Sequence, residues 1–340
     1  MRYRITAASA LVAAAALVLA GCAGTSATAT SDTSSAETVE VGAVLQARGD
    51  VDPWSSTWAA SLGAVAAEDP TVKITTSYEA ADPTAAEPVI RQLLDAGSQV
   101  VLMPTFILGD VAATIAAEYP DVPMLVTGVA APQAPNLWAA APSFLEMGYA
   151  TCWALTSLSD DGRIGVVKAV DDPVQSEIQV GCDLGAKAAN PDASITTVNS
   201  NSYTDQQANR EQTQRLLDDG IDEIYFISGS EDSLGGFAVC AQEDARCASY
   251  GDTQQWLPTG GVEVITMDWS GIITTLIEQA EAGAPAADFF NATLENGGLV
   301  ASLSGNGVTD ELVAEFDAMI AQLADGTIEL PDSVAHPGYR

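Results

Sequence analysis

The chain has 340 residues, of which 46 are Asp or Glu and only 12 are Lys or Arg, so its formal net charge is −34. This balance argues against nucleic acid as a partner, because affinity for nucleic acid comes largely from Lys and Arg that neutralise phosphates. It argues equally against electrostatic docking on anionic lipid. We interpret the dispersed carboxylates as a solubilising surface, and the length is sufficient for two domains of ordinary size.

The amino terminus has the layout of a secretory signal. Arg2 and Arg4 precede an apolar run from Ile5 to Ala20, which is short for a membrane span. The run ends in Leu-Ala-Gly before Cys22, a pattern that resembles a bacterial lipobox. We therefore predict that residues 1–21 are a lipoprotein signal peptide and that Cys22 is acylated. The alternative is an uncleaved anchor helix.

Residues 22–38 are almost entirely Ala, Ser, Thr and Gly after the cysteine. Such a segment cannot bury enough apolar surface to offset the entropy lost on ordering, so it is typical of a flexible tether. The expected location is outside the cell, with the folded body attached by lipid to the outer face of the bacterial cytoplasmic membrane.

From residue 39 onward, short apolar strands alternate with amphipathic helices. The predicted strands are 39–46, 71–78, 99–105, 122–128, 163–170, 194–200, 222–229, 247–252, 262–269 and 299–305. The predicted helices are 54–68, 85–97, 110–119, 143–158, 173–189, 205–219, 233–243, 271–283 and 309–326. Continuous apolar strands that alternate with helices indicate parallel sheets covered on both faces.

Two such series predict an α/β fold of two doubly wound parallel-sheet lobes joined by a three-strand hinge, which together form a clamshell. The N-terminal lobe is expected to contain residues 39–142 and 256–295, and the C-terminal lobe residues 143–255 and 296–330, followed by a tail at 331–340. In open α/β sheets, ligands bind at the carboxyl ends of the strands, which places the predicted site between the lobes.

Four cysteines remain once Cys22 is assigned to the lipid: Cys152, Cys182, Cys240 and Cys247. An even number in an exported chain favours disulfides, and three pairings are possible. We favour Cys152–Cys182, whose partners lie on the apolar stripes of two predicted helices, and Cys240–Cys247, close in sequence across a turn. The alternative is buried free thiols. No Cys or His spacing suggests a metal, and no cofactor motif is present.

Several blocks together resemble the basic membrane protein family of substrate-binding lipoproteins, from about residue 39 to about residue 330. They are AAEYPDVPMLV (116–126), SFLEMGYATCWAL (143–155), the strand-helix-strand block 162–195, the block 201–229 and YGDTQQ (250–255). The resemblance implies a type I periplasmic-binding-protein clamshell, an ABC-type importer as partner and a small molecule held between the lobes, a purine nucleoside in the better-known members. We expect the receptor to be a monomer. In those members aromatic rings sandwich the base, and carboxylates bind the ribose hydroxyls.

The candidate ligand-binding residues follow predicted strands or match family positions: Asp50, Asp52, Trp54, Ser55, Thr105, Phe106, Tyr203, Ser228, Gly229, Asp252 and Gln254. Trp54 and Ser55 stand where the family usually has Phe and Asn, and the spacing to the preceding Asp differs by one residue. Tyr203 replaces a family Phe, and Asp252 is the expected acceptor for paired hydroxyls.

Ser228 and Gly229 end a strand, where a glycine allows backbone amides to approach a ligand. Either Asp50 or Asp52 is expected to contact the ligand, with helix capping or a solvated loop as the alternative. Gln254 stands where the family turn has a second Asp.

Two other classes of function are the alternatives to an import receptor. A sensor that presents its closed form to a signalling receptor would use the same fold, for this ligand or for a sugar or another small polar solute. A nucleoside-cleaving enzyme is disfavoured, because the one histidine, His336, lies in an expected loose tail and the motifs of common hydrolases are missing. The sequence thus favours a binding protein without a catalytic site.

Overall fold

The computed structural model describes residues 38–78, 82–129, 131–251, 253, 255–256 and 261–337. The predicted signal peptide, Cys22 and nearly all of the tether lie outside the described residues, as do Asp252 and Gln254. Within the described part of the chain, no helix is long and apolar enough to span a bilayer.

The strands are β1 (Val39–Val44), β2 (Val72–Ser77), β3 (Val100–Met103), β4 (Met124–Thr127), β5 (Leu137–Pro142), β6 (Arg163–Lys168), β7 (Ser194–Asn199), β8 (Glu223–Phe226), β9 (Arg246–Ser249), β10 (Val262–Met267), β11 (Phe289–Ala292) and β12 (Leu299–Gly305). The helices are α1 (Pro53–Glu68), α2 (Pro83–Asp95), α3 (Gly109–Glu118), α4 (Phe144–Leu158), α5 (Pro173–Ala189), α6 (Gln206–Asp218), α7 (Ser233–Glu243), α8 (Ser270–Ala282) and α9 (Asp310–Ala324). A 3₁₀ helix covers Phe106–Leu108.

Two parallel sheets organise the chain, as the strand-helix alternation predicts. The first sheet has the order β11-β5-β4-β3-β1-β2, and the second sheet has the order β7-β6-β8-β9. Every strand pair in both sheets is parallel. The central strands β3, β4 and β8 are buried throughout, because helices cover both faces. The predicted α/β class is confirmed.

Helix starts follow directly from short sequence signals. Asp52, Asp82 and Asp172 each precede a proline, and each side chain accepts a hydrogen bond from a backbone N–H in the first turn of its helix. Proline suits the first helical position because its missing N–H would have no intrahelical partner there. Two of these caps, Asp52 and Asp172, come to lie at the site described below.

Two strands of the first sheet were not predicted from the sequence. Strand β5 (LWAAAP) is rich in alanine, and β11 (FFNA) is only four residues long, so neither carries a strong β signal. Both are recognisable only through their partners, since β5 pairs with β4 and β11 pairs with β5.

Residues 256–295 are expected to rejoin the first sheet. In the structure, one part of this segment lies beside the second sheet and the other part beside the first. Strand β10 pairs antiparallel with β12, and its residue Ile265 forms a bridge with Tyr250 beyond β9. Helix α8 packs on α1 and on first-sheet strands, while β11 extends that sheet.

Two disulfides tie helices to neighbouring elements. Cys152 of α4 is bonded to Cys182 of α5, with their Cα atoms 4.9 Å apart. Cys240 of α7 is bonded to Cys247 of β9, with Cα atoms 6.3 Å apart. These are the two pairings that the sequence favours, so all four cysteines of the folded body are used in structural crosslinks.

Candidate functional site

A cavity of about 470 Å³ lies where the carboxyl ends of the two sheets meet. Loops after β1, β3, β4, β6, β7, β8 and β9 contribute to its wall, together with the start of α4 and the C-terminal segment. Its main side chains are Gln46, Asp52, Trp54, Thr105, Phe106, Thr127, Phe144, Asp172, Tyr203, Ser228, Glu231, Tyr250 and His336. The volume falls in the range of small-molecule sites.

The aromatic side chains of the cavity differ in how firmly they are held. The Trp54 indole donates from Nε1 to the Pro104 carbonyl at 2.8 Å and meets Trp269 edge-on at a centroid distance of 5.6 Å. Phe106, in the loop after β3, is 58% exposed. A held indole and a freer phenyl ring in one cavity suit a flat ligand, because aromatic faces stack on flat rings.

Tyr203 and Tyr250 use their hydroxyls within the protein. Tyr203 Oη donates to Asp172 at 2.5 Å, and Tyr250 Oη donates to the Ser228 carbonyl at 2.7 Å. Burial together with the Asp172 hydrogen bond raises the pKa of Tyr203, and burial raises that of Tyr250, so both are neutral at pH 7. Their rings are left to present apolar surface to the cavity.

Three carboxylates line the cavity. Asp52 is 1% exposed and accepts hydrogen bonds from Ser55 N at 2.8 Å and Gln46 Nε2 at 3.2 Å. Burial raises the pKa of Asp52, against the opposing effect of these hydrogen bonds. Asp172 accepts from Gln175 N at 2.8 Å as well as from Tyr203, and Glu231 accepts from Gln206. The polar side of the site is thus rich in acceptors.

Among the described residues that form the cavity wall, none is Lys or Arg. The carboxylates therefore face the cavity without a neighbouring cation to compensate for charge on a ligand. Such a site disfavours anions and suits a neutral or cationic solute that offers hydrogen-bond donors.

Six of the predicted residues come together in this cavity: Asp52, Trp54, Thr105, Phe106, Tyr203 and Ser228. Three others lie elsewhere. Asp50 is exposed and forms an ion pair with Arg48, which lowers the pKa of Asp50. Ser55 is buried behind the wall beside Asp52, and the Gly229 carbonyl accepts a hydrogen bond from Trp54 N at 3.2 Å.

Several residues of the cavity were not among the sequence candidates: Gln46, Asp172, Glu231, Phe144, Tyr250 and His336. Asp172-Pro173 repeats the Asp52-Pro53 signal after a strand, so it could have been found from the sequence. The expectation that His336 lies in a loose tail is wrong, because the residue is packed and only 4% exposed. Phe144 and Phe289, both distant in sequence, cover it.

The two sides of the cavity touch at its edge. In addition to the bond from Trp54 N to the Gly229 carbonyl, Gln255 Nε2 donates to the Gly49 carbonyl at 3.2 Å. A Cβ placed on Gly251 would lie 2.9 Å from the Pro53 carbonyl oxygen. The start of α1 therefore rests directly on loops that follow β8 and β9.

Paired parallel sheets with a cavity at their facing carboxyl ends define the class of periplasmic-binding-protein-like folds, and a solved structure supports this. The ABC transporter solute-binding protein of Conexibacter woesei has 26% identity and a TM-score of 0.73, covering 86% of this chain and 98% of its own. The family described as "ABC transporter substrate-binding protein PnrA-like" matches residues 40–239. The chain belongs to this family, the Bmp family, and the sequence resemblance is confirmed.

Curated relatives agree with this assignment. Basic membrane protein A of Borreliella burgdorferi is 29% identical over 150 residues, which is 43% of this chain and 43% of that protein. TsgA13 of Haloferax volcanii, named as a candidate glucose-binding protein of an ABC transporter, is 25% identical over 282 residues, 82% of this chain and 70% of that protein. The match thus spans less than half the length of the first of these relatives.

Proposed function

We propose that the chain is an extracytoplasmic receptor that captures a neutral, hydroxyl-bearing solute in the 470 Å³ cavity and delivers it to an ABC-type permease. A purine nucleoside is the favoured ligand. The observation that carries the proposal is the combination of aromatic faces and uncompensated carboxylates at the carboxyl ends of both sheets.

The two halves of a nucleoside match the two kinds of side chain in the cavity. A flat base can stack between Trp54 and Phe106, and base–aromatic stacking contributes ~1–3 kcal/mol in nucleic-acid systems. The vicinal ribose hydroxyls are donors that suit carboxylate acceptors such as Asp172. Asp252, which lies outside the described residues, is the sequence-based candidate for the same role.

The net charge of the ligand distinguishes most clearly between the molecules that this cavity can and cannot bind. A nucleoside 5′-monophosphate would bring two negative charges toward three carboxylates and no described Lys or Arg. We therefore expect nucleosides to bind and the corresponding nucleotides to bind at least a hundredfold more weakly, as burying an unpaired charge is costly.

A sugar is the second candidate ligand, and the name of TsgA13 favours it. A sugar has the same vicinal hydroxyls but lacks the extended flat base. Stacking on Trp54 would then contribute much less to its affinity, so the Trp54→Ala variant distinguishes the two ligands.

The decisive experiment is calorimetric titration of residues 38–340 with adenosine, guanosine, inosine, adenine, adenosine 5′-monophosphate, glucose and an amino acid. One-to-one binding of a nucleoside, weakened in Asp172→Asn and in Asp252→Ala, supports the proposal. Asp50→Asn is the matched control, because Asp50 is exposed and paired with Arg48 away from the cavity. Binding of glucose alone would replace the nucleoside, and binding of the nucleotide would contradict the charge argument.

We further propose that two lobes, built on the first and second sheets, close on the ligand, and that lipid on Cys22 anchors the receptor. The sequence predicts lobes of residues 39–142 with 256–295 and of residues 143–255 with 296–330; we assign β10 to the second lobe instead, because it pairs with β12 and bridges to Tyr250. The anchor is tested by metabolic labelling with a fatty acid: the label should enter the wild-type chain and be lost in Cys22→Ser. Equal labelling of the variant would contradict acylation at this residue.

A further inference from the structure

The segment 333–337 near the carboxyl terminus is held by one buried carboxylate. Glu177 of α5 is 5% exposed, and its Oε2 accepts hydrogen bonds from Ser333 Oγ at 2.9 Å, Val334 N at 2.8 Å and Ala335 N at 2.8 Å. The Ser333 hydroxyl oxygen in turn accepts from His336 N at 2.9 Å. Three donors converge on one buried carboxylate oxygen, so this is a built attachment.

The side chain of His336 is fixed by two aromatic rings from different elements. Its centroid lies 5.6 Å from that of Phe144, at the start of α4, and 5.2 Å from that of Phe289 in β11. Since α5 holds the backbone of the segment and β11 belongs to the first sheet, the segment connects the second-sheet side to the first-sheet side.

His336 and Ala335 form part of the wall of the 470 Å³ cavity, and His336 also lines a neighbouring cavity of about 490 Å³. The segment therefore forms part of the wall of both spaces.

From this placement we propose that the segment 333–337 is a constituent part of the ligand site and that His336 contacts the bound ligand as a specificity-determining residue. The proposal rests on the proposed function of the cavity as the ligand site. It adds a residue at which no sequence feature indicates a role in binding.

The chemistry of the ring complements the rest of the wall. Burial lowers the pKa of His336, although Glu177 opposes this effect, so the imidazole is neutral at pH 7. A neutral imidazole has one N–H donor and one acceptor nitrogen. Ionised carboxylates supply only acceptors, so the N–H of His336 is suited to a ligand edge that carries an acceptor, such as a ring nitrogen of a purine base.

Nuclear magnetic resonance on the wild-type chain gives a direct test, because His336 is the only histidine in the sequence. A protein labelled with ¹⁵N-histidine and carrying no histidine tag shows one imidazole spin system. Saturation with the tightest-binding solute among adenosine, guanosine, inosine and glucose should shift the ring nitrogen resonances. Unchanged ring resonances at saturation, with binding verified by calorimetry, would overturn the proposal while leaving the proposed function intact.

Two variants separate ligand contact from simple support. His336→Phe keeps an aromatic ring between Phe144 and Phe289 but has no ring nitrogen, and we expect it to weaken ligand binding by about three- to tenfold, the equivalent of one hydrogen bond. Val334→Ala is the matched control in the same segment, because Val334 is 76% exposed and does not line the cavity. Full affinity in His336→Phe would assign the residue to packing and overturn the proposal.

Glu177→Ala tests the attachment itself. Hydrogen exchange at the Val334 and Ala335 amides should be slow in the wild-type protein and accelerate in the variant, with a parallel loss of affinity. Accelerated exchange with unchanged affinity would show that the segment is not part of the site. If none of the four solutes binds wild-type protein, the proposed ligand class fails and this inference falls with it.

Discussion

Thr105 has an unusual hydroxyl at the wall of the cavity. The residue is 2% exposed, and among the described residues its Oγ1 has no hydrogen-bond partner. A buried hydroxyl without a partner costs ~1–3 kcal/mol, a cost that a functional site can carry when a ligand supplies the missing bond. The position of Thr105 after β3 makes it a direct ligand contact in the proposed function.

Replacing Thr105 with valine is therefore expected to separate stability from binding. Valine keeps the shape but removes the unpaired hydroxyl, so the free energy of unfolding should be unchanged or rise by up to ~1 kcal/mol, while ligand affinity falls several-fold. Urea denaturation and calorimetry measure the two quantities. Reduced stability together with unchanged affinity would show that the hydroxyl has a partner inside the protein.

Asp232 supports the site from beneath without lining it. It is 0% exposed and accepts hydrogen bonds from Ser228 Oγ at 2.7 Å, Asn209 Nδ2 at 2.9 Å and Ser200 Oγ at 3.4 Å. Burial nevertheless raises its pKa from 3.8 to about 6. One carboxylate thus links the ends of β7 and β8, and Ser228 at the cavity is held by it.

The raised pKa of Asp232 fixes the sign of its contribution to stability. The folded state retains a proton that the unfolded state has released, so this contribution is fully present below pH 3.8 and is lost as the pH rises to about 6. In the wild-type protein the free energy of unfolding should therefore fall by ~2–3 kcal/mol between pH 3.8 and about 6. Asp232→Asn should abolish this fall. Chemical denaturation of wild type and variant from pH 4 to 7 measures the difference. Asp121→Asn, at an exposed loop position, is the control, and parallel curves for wild type and Asp232→Asn would contradict the prediction.

Helices α4 and α5, which the Cys152–Cys182 disulfide joins, pack with their backbones in close contact. A Cβ on Gly148 would lie 2.1 Å from the Ile178 carbonyl oxygen, and one on Gly181 would lie 2.2 Å from the Leu145 carbonyl oxygen. The backbones therefore touch without intervening side chains, which brings Cys152 and Cys182 within bonding range. Because α4 supplies Phe144 and Asp172 caps the start of α5, this contact fixes one wall of the cavity.

Removing the Cys152–Cys182 disulfide is expected to lower stability by up to ~3–4 kcal/mol, on the chain-entropy account for a loop of this length. Ligand affinity should change little, since the glycine contact keeps the helices together. The Cys240–Cys247 bond closes a loop of only 7 residues and is the matched comparison, with a smaller loss expected. Thermal unfolding of the two double alanine variants measures this, and equal losses would contradict the loop-length argument.

At the scale of the whole molecule, the start of α1 contacts the loops that follow β8 and β9. Gly251 has φ +98°, and its position against the Pro53 carbonyl leaves no room for a side chain. With the bond from Trp54 to Gly229, this contact joins the two sides of the cavity at its edge. In the lobe arrangement we propose, it is the point at which closure is completed.

Gly251→Ala should therefore hinder closure, because the added methyl group meets the Pro53 carbonyl. We expect the ligand-induced decrease in the radius of gyration, measured by small-angle X-ray scattering, to shrink and affinity to fall about tenfold or more. Gly97→Ala is a close control, since Gly97 has φ +100° but no neighbour within 4 Å of an added Cβ. If both variants behave alike, backbone strain and not the contact between the sheets is responsible.

Most of the architecture could be predicted from local patterns, because apolar runs and Asp-Pro starts mark buried strands and helix termini wherever they occur. Strands β5 and β11 could not, since LWAAAP and FFNA have weak β signals and become strands only through their neighbours. The late strand β10 was also indistinguishable by pattern from a first-sheet strand. Its antiparallel pairing with β12 depends on where the chain crosses, which no local signal records.

The sequence by itself determined the α/β class and the family, favoured the two disulfide pairings and indicated six residues that line the candidate cavity, because these depend on periodicity, composition and motifs. Only the tertiary structure decided that Asp172, Glu231 and Tyr250 share their cavity, and that His336 packs between Phe144 and Phe289. Those residues meet because parallel strands align their carboxyl ends and because one buried carboxylate, Glu177, holds residues 333–335. The hydrogen bond from Ala335 to Glu177 joins positions 158 residues apart and leaves no trace in local sequence.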